Sequence, residues 1–317
     1  MDTVHIAKAL MKQWQAWPPR PDQEIGGLQE IFRHSLFLNG SDQDRKRIMF
    51  EASQSKYEDE LAYPLDNYFS MDLAFFLQGK KVLDLGCLTG GRGVAWVERY
   101  NLKCLIGIDV QKEYVDAATQ FAALKNVNAE FKVAKGEKLP FDDGTFSAIL
   151  TFDVFEHVQD VAKTLEECHR VLEPKGRLFV VFPGYYHPME HHLSLVTRLP
   201  GIHYLFSGKT LVRAYYEILE ERGRDAYWYR RNSPDLYKWE RGNTINGTTF
   251  AKFNRLIRKG NWNVLMHSRK PIGSIGRSIQ QNRIAKFLSK IFYPLTSIQG
   301  LREVFLHRIT FILEKRD

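Results

Sequence analysis

The sequence has few of the features that mark secreted or membrane-spanning proteins. Its three cysteines, Cys87, Cys104 and Cys168, are widely spaced and form no CxxC pair. No stretch reaches the roughly 18 consecutive apolar residues that span a bilayer, and the first residues lack the apolar core of a signal peptide. We therefore expect neither a disulfide framework nor a membrane span, and we predict a cytoplasmic location.

What is present is a globular composition with an uneven distribution of charge. The chain has 317 residues, of which 44% are hydrophobic, a length that suits one large or two modest domains. Residues 1–183 carry 22 Lys and Arg against 27 Asp and Glu, whereas residues 184–317 carry 23 against 10. A basic C-terminal half attracts anionic substrates, nucleic acids or membrane surfaces, although a solvated basic surface is the simpler alternative.

Hydrophobic periodicity divides the chain into four segments. Residues 1–79 have helical spacing and predict an N-terminal cap, and residues 80–183 hold five short apolar runs separated by helical patterns. Residues 184–260 form an insertion rich in aromatic and basic residues. Residues 261–317 contain the remaining strand candidates and a basic amphipathic segment. Strands that alternate with helices predict an α/β protein with a doubly wound sheet.

The most informative stretch is residues 82–91, a buried strand that runs into small residues. Asp84 is followed by Gly86 and Gly90, and a turn of this kind lets a ligand approach bare backbone. A second strand ends at Asp109, where a carboxylate can accept hydrogen bonds from both hydroxyls of a ribose. Together these features predict an adenosine-containing cofactor. The spacing D-L-G-x-x-x-G differs from the G-x-G-x-x-G of dinucleotide sites, so pyrophosphate binding is the weaker alternative.

The run VLDLGCLTG resembles the first motif of class I S-adenosylmethionine-dependent methyltransferases of the type 11 kind. Further segments resemble later motifs of this family, in order: the strand ending at Asp109, residues 136–146, residues 153–158 and residues 170–176. The resemblance implies a methyltransferase with S-adenosyl-L-methionine as cofactor. It also implies a Rossmann-like sheet of seven strands, mostly parallel with an antiparallel last strand, a helical N-terminal cap and an insertion between strands five and six.

The resemblance assigns cofactor binding to residues at the ends of the first four strands. These are Asp84, Gly86, Cys87, Leu88, Gly90, Asp109, Val110, Gly136, Glu137, Phe152 and Asp153. Two positions depart from the family pattern. Leu88 stands where a second glycine is usual, so we expect the turn to lie differently against the methionine part of the cofactor. Lys135 stands where an Asp usually reaches the adenine amine.

Histidines follow strands four and five, where a base for a hydroxyl acceptor is expected. They are His157, His187, His191 and His192. We predict His192 as the catalytic base, because FPGYYHPMEHHLSL resembles a stretch after strand five in a subset of these methyltransferases. His157 and His187 are further catalytic candidates, and a structural role is the alternative for each histidine.

An alternative use of this region is a metal site. Asp153, Glu156 and His157 are spaced i, i+3 and i+4, which would place them on one helical face, and a downstream histidine would complete the ligands. The triplet resembles the E-x-x-E-H motif of small-RNA 2'-O-methyltransferases, with Asp at the first position. We predict no metal, because E-H-V at this place is common in methyltransferases that bind none.

We expect O-methylation of a hydroxyl on a carbohydrate or small biosynthetic intermediate. Aromatic and arginine residues of the insertion, Tyr227, Trp228 and Arg230 among them, are predicted to form a lid over the acceptor. The alternatives are an RNA 2'-O-methyltransferase with a metal site and a non-catalytic scaffold that keeps the fold. A nucleic acid partner is not favoured, residues 283–292 suit peripheral contact with an anionic membrane, and the oligomeric state is open.

Overall fold

The computed structural model describes residues 2–14, 40–193, 196–221, 245–274 and 283–316. The chain divides into two compact units. The first unit is Met1–Ile48 with Tyr185–Gly247, and the second is Met49–Gly184 with Thr248–Asp317. The predicted cap boundary at residue 79 and the predicted insertion boundary at residue 260 both fall inside the second unit.

The described residues form seven strands and a series of helices. The strands are β1 (Lys81–Leu85), β2 (Cys104–Asp109), β3 (Ala129–Val133), β4 (Phe146–Phe152), β5 (Leu172–Pro183), β6 (Trp262–Pro271) and β7 (Leu306–Lys315). The helices are α1 (Thr3–Gln13), α2 (Asp42–Ala62), α3 (Asp66–Phe69), α4 (Ala74–Leu77), α5 (Gly91–Tyr100), α6 (Lys112–Lys125), α7 (Val161–Val171), α8 (Ile202–Leu205), α9 (Gly208–Glu221), α10 (Phe250–Lys259), α11 (Arg283–Leu295) and α12 (Arg302–Phe305).

All seven strands belong to one sheet in the second unit, in the order β3-β2-β1-β4-β5-β7-β6. Strands β1 to β5 pair with one another in parallel, and β7 is antiparallel to both β5 and β6. The predicted seven-stranded Rossmann-like sheet with an antiparallel last strand is therefore confirmed. The carboxyl ends of the parallel strands lie at one edge of the sheet, together with the start of β7 and the end of β6.

The central strands are apolar on both faces because helices cover both sides of the sheet. Leu83 and Ile149 pack in the core on one face, and Val82 and Leu150 pack in the core on the other. Successive residues of a strand point to opposite faces, so a strand buried on both sides needs a continuous apolar run. This requirement explains why the strands were recognisable in the sequence.

In the first unit, helices α1 and α9 pack against each other. The ammonium of Lys8 on α1 lies 3.2 Å from the carboxylate of Glu217 and 2.6 Å from that of Glu221, both on α9. The hydroxyl of Ser207 accepts a hydrogen bond from the backbone N–H of Thr210 at 3.2 Å, which caps α9.

Part of the predicted acceptor lid lies outside the described residues. Tyr227, Trp228 and Arg230 fall within residues 222–244, of which nothing is described. Among the described residues, no helix is both long enough and apolar enough to cross a membrane.

Candidate functional site

The turn after β1 depends on two glycines with positive φ. Gly86 has φ +81° and Gly90 has φ +76°. A Cβ on Gly86 would lie 2.3 Å from Cγ2 of Val154, and a Cβ on Gly90 would lie 2.6 Å from Cβ of Ala118. The backbone therefore passes these side chains at a distance that only glycine permits. A pocket at this turn is lined by Lys56, Asp84, Gly86, Cys87, Leu88, Thr89, Gly90, Gly91, Arg92, Trp96 and Phe152.

Leu88 takes the left-handed conformation that its family position usually reserves for glycine. Its φ is +49°, a value that costs a residue with a side chain about 1–2 kcal/mol. Its backbone N–H donates a hydrogen bond to Oδ2 of Asp109 at 3.1 Å. The turn thus keeps the backbone conformation of a glycine, and the Asp109 carboxylate helps to stabilise it.

Asp109, at the end of β2, links this strand to the turn that follows β1. Its Oδ1 accepts the backbone N–H of Gln111 at 3.0 Å, while Oδ2 accepts that of Leu88. The N–H groups of Gly86 and Cys87 both donate to the carbonyl of Ile108 at 2.9 Å. The side chain is only 8% exposed, and burial raises the pKa of the carboxyl group despite these hydrogen bonds. A carboxylate has about four acceptor sites, so it retains lone pairs for a ligand.

Next to the glycine turn, the two buried carboxylates of Glu60 and Asp84 share a single arginine, Arg92. Nε of Arg92, on α5, lies 3.3 Å from Oε2 of Glu60 on α2. Oε1 of Glu60 also accepts the backbone N–H of Leu65 at 2.6 Å. Burial raises the pKa of Glu60 to about 7 and that of Asp84 to about 7, and the Arg92 charge opposes both shifts. The predicted residue Asp84 therefore belongs to an electrostatic cluster with two residues that sequence reasoning missed.

Phe152, at the end of β4, is covered by an arginine and a tyrosine. The guanidinium carbon of Arg92 lies 3.7 Å from the centre of the Phe152 ring, a cation–π contact. The ring of Tyr68 meets Phe152 edge to face, with 4.9 Å between the centroids. Burial raises the pKa of Tyr68 to about 12. These contacts fix the predicted cofactor residue Phe152 beside the glycine turn.

The remaining predicted cofactor residues differ in the contacts that they make within the protein. Oε1 of Glu137 accepts the backbone N–H of Gln159 at 2.6 Å and that of Asp160 at 3.3 Å, so this carboxylate supports the loop before α7. Gly136 is buried, and a Cβ there would lie 3.1 Å from Cγ2 of Thr164. Val110 is 57% exposed. Their cofactor roles stay predictions.

The metal triplet predicted on one helical face is wrong in its geometry. Residues 153–158 form a turn, and Asp153 has a left-handed φ of +57°. Oδ2 of Asp153 lies 3.4 Å from Nη2 of Arg308, whereas Oε1 of the buried Glu156 lies 3.8 Å from Nε2 of His157. The three side chains do not share a helical face, because the chain leaves β4 through a tight turn.

Two cations face each other where β6 and β7 reach this edge of the sheet. Lys270 is the register partner of Arg308, so both side chains stand on the same face of the sheet. The ammonium of Lys270 is half-buried and donates to the hydroxyl of Ser70 at 2.7 Å. Among the described residues, Lys270 forms no ion pair. Like charges directly opposite across an antiparallel pair are destabilising, and because Asp153 pairs with Arg308, the two cations leave one net positive charge at this edge, which favours an anion.

In the first unit, the rings of two predicted histidines accept hydrogen bonds from the backbone. Nδ1 of His187 accepts the backbone N–H of Met189 at 3.2 Å, and Nδ1 of His191 accepts that of Leu193 at 3.0 Å. Burial lowers the pKa of His191 to about 4, so its imidazole is neutral. His192 is partly exposed and has a left-handed φ of +55°. Its predicted role as the base stays a prediction.

Comparison with known proteins agrees with this geometry. A family model described as a methyltransferase domain matches residues 83–180. The S-adenosylmethionine-dependent methyltransferase of Mesorhizobium loti is 15% identical, with a TM-score of 0.50 over 80% of this chain and 98% of that one. At this level of identity the likeness concerns the fold alone.

Curated relatives match part of their own length. Norajmaline N-methyltransferase of Rauvolfia serpentina is 28% identical over 200 residues, which are 59% of this chain and 66% of the relative. The chloroplastic tocopherol O-methyltransferase of Arabidopsis thaliana is 35% identical over 104 residues, 32% of this chain and 30% of the relative. The chain thus spans less than two thirds of the length of these relatives.

The sheet order and the glycine turn define a Rossmann-like methyltransferase fold. Residues 83–180 carry a methyltransferase domain, a class of domain whose cofactor is S-adenosylmethionine. The residues fit this cofactor, because the glycine turn lines a pocket and the neighbouring Asp109 carboxylate retains acceptor capacity.

Proposed function

We propose that this protein transfers a methyl group from S-adenosylmethionine to a hydroxyl of a small-molecule or carbohydrate acceptor. The proposal rests on the contact between the Asp109 carboxylate and the glycine turn that follows β1. One carboxylate holds the turn in place through Leu88 and has lone pairs left for the hydroxyls of a ribose. The cofactor, when bound, supplies a methyl group on a positively charged sulfur.

The transfer requires alignment and a destination for one proton. The acceptor oxygen bonds to the methyl carbon as the carbon–sulfur bond breaks, which leaves a neutral thioether, and the hydroxyl proton passes to a base. His157 is the base that the second unit offers beyond β4. Oε1 of the buried Glu156 lies 3.8 Å from Nε2 of His157, close enough to stabilise a protonated imidazole by charge but beyond hydrogen-bond distance. His192, in the first unit, is the second candidate base.

Two observations bear on the identity of the acceptor. The names of the curated relatives refer to small molecules, norajmaline and tocopherol, and they include transfer to both nitrogen and oxygen. The opposed pair of Lys270 and Arg308 favours an acceptor with an anionic group such as a phosphate or carboxylate. A histidine base next to a carboxylate suits transfer to oxygen, because a hydroxyl must lose its proton.

Calorimetric titration with S-adenosylmethionine tests the cofactor site. We expect Asp109→Ala to weaken binding on the order of 100-fold, since two hydrogen bonds to a charged group are lost. Asp116→Ala is the matched control, because this aspartate is exposed and, within the described part of the chain, pairs only with Lys112 on the same helix. Absence of binding by the unchanged protein would favour the non-catalytic scaffold.

A panel of hydroxyl-bearing small molecules, sugars and sugar phosphates tests the reaction, with methyl addition detected by mass spectrometry. We expect His157→Ala to lower kcat about 100-fold or more while S-adenosylmethionine affinity is retained. Turnover unchanged in His157→Ala but lost in His192→Ala would identify His192 as the base. Methylation of RNA with a steep salt dependence would replace the small acceptor by a nucleic acid.

A further inference from the structure

Helix α11 is attached to the second unit mainly through its C-terminal half. The rings of Phe292 and Phe305 lie 5.1 Å apart. Just beyond the helix, the carbonyl of Thr296 accepts hydrogen bonds from Arg269 at 2.8 Å and from Arg302 at 3.0 Å. These contacts hold one side of the helix against the unit.

The other side of α11 exposes large apolar side chains. Phe287 is 64% exposed, Ile291 49% and Leu288 39%, and their spacing of one and four residues places them on one helical face. Tyr293, at the end of the helix, is 58% exposed. A contiguous apolar face of this kind marks a site of interaction with a partner or a membrane.

Basic residues accompany this apolar face. Arg283, Lys286 and Lys290 of α11 are exposed, and the helix contains no acidic residue. The basic character extends along the chain, because twelve Lys and Arg and no Asp or Glu lie between Glu240 and Glu303. The surface beside the apolar face therefore carries positive charge that no acidic residue of the helix offsets.

We propose that α11 is an interfacial helix that binds the surface of an anionic phospholipid bilayer, with Phe287, Leu288 and Ile291 among the acyl chains. Apolar burial and attraction to anionic headgroups each contribute to such binding, and together they give the two signals that stable attachment requires. A second copy of this chain is the poorer occupant, because a symmetric pairing of the two helices brings Lys286 and Lys290 towards the same residues of the partner. The proposal is independent of the methyl acceptor.

Vesicle flotation tests the proposal with the whole protein. We expect binding to vesicles of equal parts phosphatidylcholine and phosphatidylglycerol, weaker binding at high salt, and little binding to phosphatidylcholine alone. Phe287→Ser combined with Ile291→Ser is expected to lower the partition constant about tenfold or more. Lys286→Gln combined with Lys290→Gln is expected to lower it to a similar extent, since each basic residue near the surface contributes several-fold.

Matched controls come from other surfaces of the second unit. Phe75→Ser changes a phenylalanine that is 86% exposed on α4, and Lys103→Gln changes an exposed lysine before β2. Both are expected to bind vesicles as the unchanged protein does, and unchanged S-adenosylmethionine affinity verifies the fold of every variant. Binding that survives both double substitutions overturns the proposal, as does failure of the unchanged protein to bind. A concentration-dependent dimer that Phe287→Ser with Ile291→Ser abolishes, without vesicle binding, would assign the face to a second copy.

Discussion

The two halves of the sheet edge in the second unit have opposite charge. Beside β1 and β2, the carboxylates of Asp84, Asp109 and Glu60 are buried, and Arg92 opposes the charges of Glu60 and Asp84. Beside β7 and β6, Arg308 and Lys270 face each other. The acidic half suits ribose hydroxyls and a positively charged sulfonium, whereas the basic half suits an anionic group of the acceptor.

This difference in charge shows how a single edge of the sheet can bind two ligands at separate places. Parallel strands bring their carboxyl ends to the same edge, which is where doubly wound folds bind their ligands. Buried carboxylates next to the glycine turn and cations on the antiparallel strands divide that edge by charge. Substitutions in one half should therefore leave the binding function of the other half nearly unchanged.

The largest effect is expected from Gly86→Ala in the acidic half. The new methyl group would lie 2.3 Å from Cγ2 of Val154 at a φ of +81°, so unfolding free energy should fall by about 2–4 kcal/mol. Gly79→Ala is the control, since Gly79 has φ +69° and no atom within 4 Å of an added Cβ. Denaturant unfolding measures both variants. Equal losses would show that backbone strain alone, and not the close approach to Val154, determines the cost.

The next-largest effect is a pH dependence of the unfolding free energy that arises from the acidic half. Because burial raises the pKa of Glu60 and of Asp84 to about 7, the folded state binds more protons than the unfolded state between their ordinary values and about 7. The contribution of these two groups to stability should therefore fall as the pH rises across that interval, by about 1–3 kcal/mol, and then level off. Burial also raises the pKa of Glu303 to about 7, which adds to the fall, whereas the lowered pKa of His191, about 4, opposes it below the ordinary histidine value.

Urea unfolding from about pH 5 to about pH 8 measures this dependence. Glu60→Gln should reduce the slope, whereas Glu130→Gln, at an exposed acid on β3, should not. S-adenosylmethionine is expected to release protons as it binds near neutral pH, since a cation beside these groups lowers their pKa. Calorimetry in buffers of different ionisation enthalpy detects that release. A slope unaffected by Glu60→Gln would contradict the buried-carboxylate account.

A smaller effect is expected in the basic half. Lys270→Met removes one of two opposed cations and should raise unfolding free energy by about 0.2–1 kcal/mol. It should leave S-adenosylmethionine affinity within about twofold and reduce the stabilisation that inorganic phosphate gives. Thermal unfolding with and without phosphate measures the change. Weaker cofactor binding in this variant would break the proposed separation of the two halves.

The smallest effect is expected from Leu88→Gly. Relief of the left-handed strain is offset by greater freedom of the unfolded chain and by lost packing, so the change in stability should stay within about 1 kcal/mol. Denaturant unfolding of the purified variant measures it. A loss above about 2 kcal/mol would show that packing of the Leu88 side chain outweighs its backbone strain.

The sequence predicted the residues of the acidic half, which suits the cofactor, better than those of the basic half, which suits the acceptor. Asp84, Gly86 and Asp109 lie in short local patterns in which each residue type has a backbone or ligand role. Glu60 was not singled out, because α2 has little hydrophobic periodicity and its contact with Arg92 joins residues far apart in the chain. The pairing of Lys270 with Arg308 depends on strand register, which the sequence alone leaves open.

The sequence by itself determined the strands, the glycine turn and the acidic residue that closes β2, because these follow from local periodicity and from the conformational freedom of glycine. The tertiary structure decided that Asp153 leaves the helical arrangement expected for it, that Leu88 adopts a glycine-like φ beside Asp109, and that two cations meet on β6 and β7. The reason is physical: these features arise from contacts between distant segments, whose energies exceed the local preferences that a sequence pattern records.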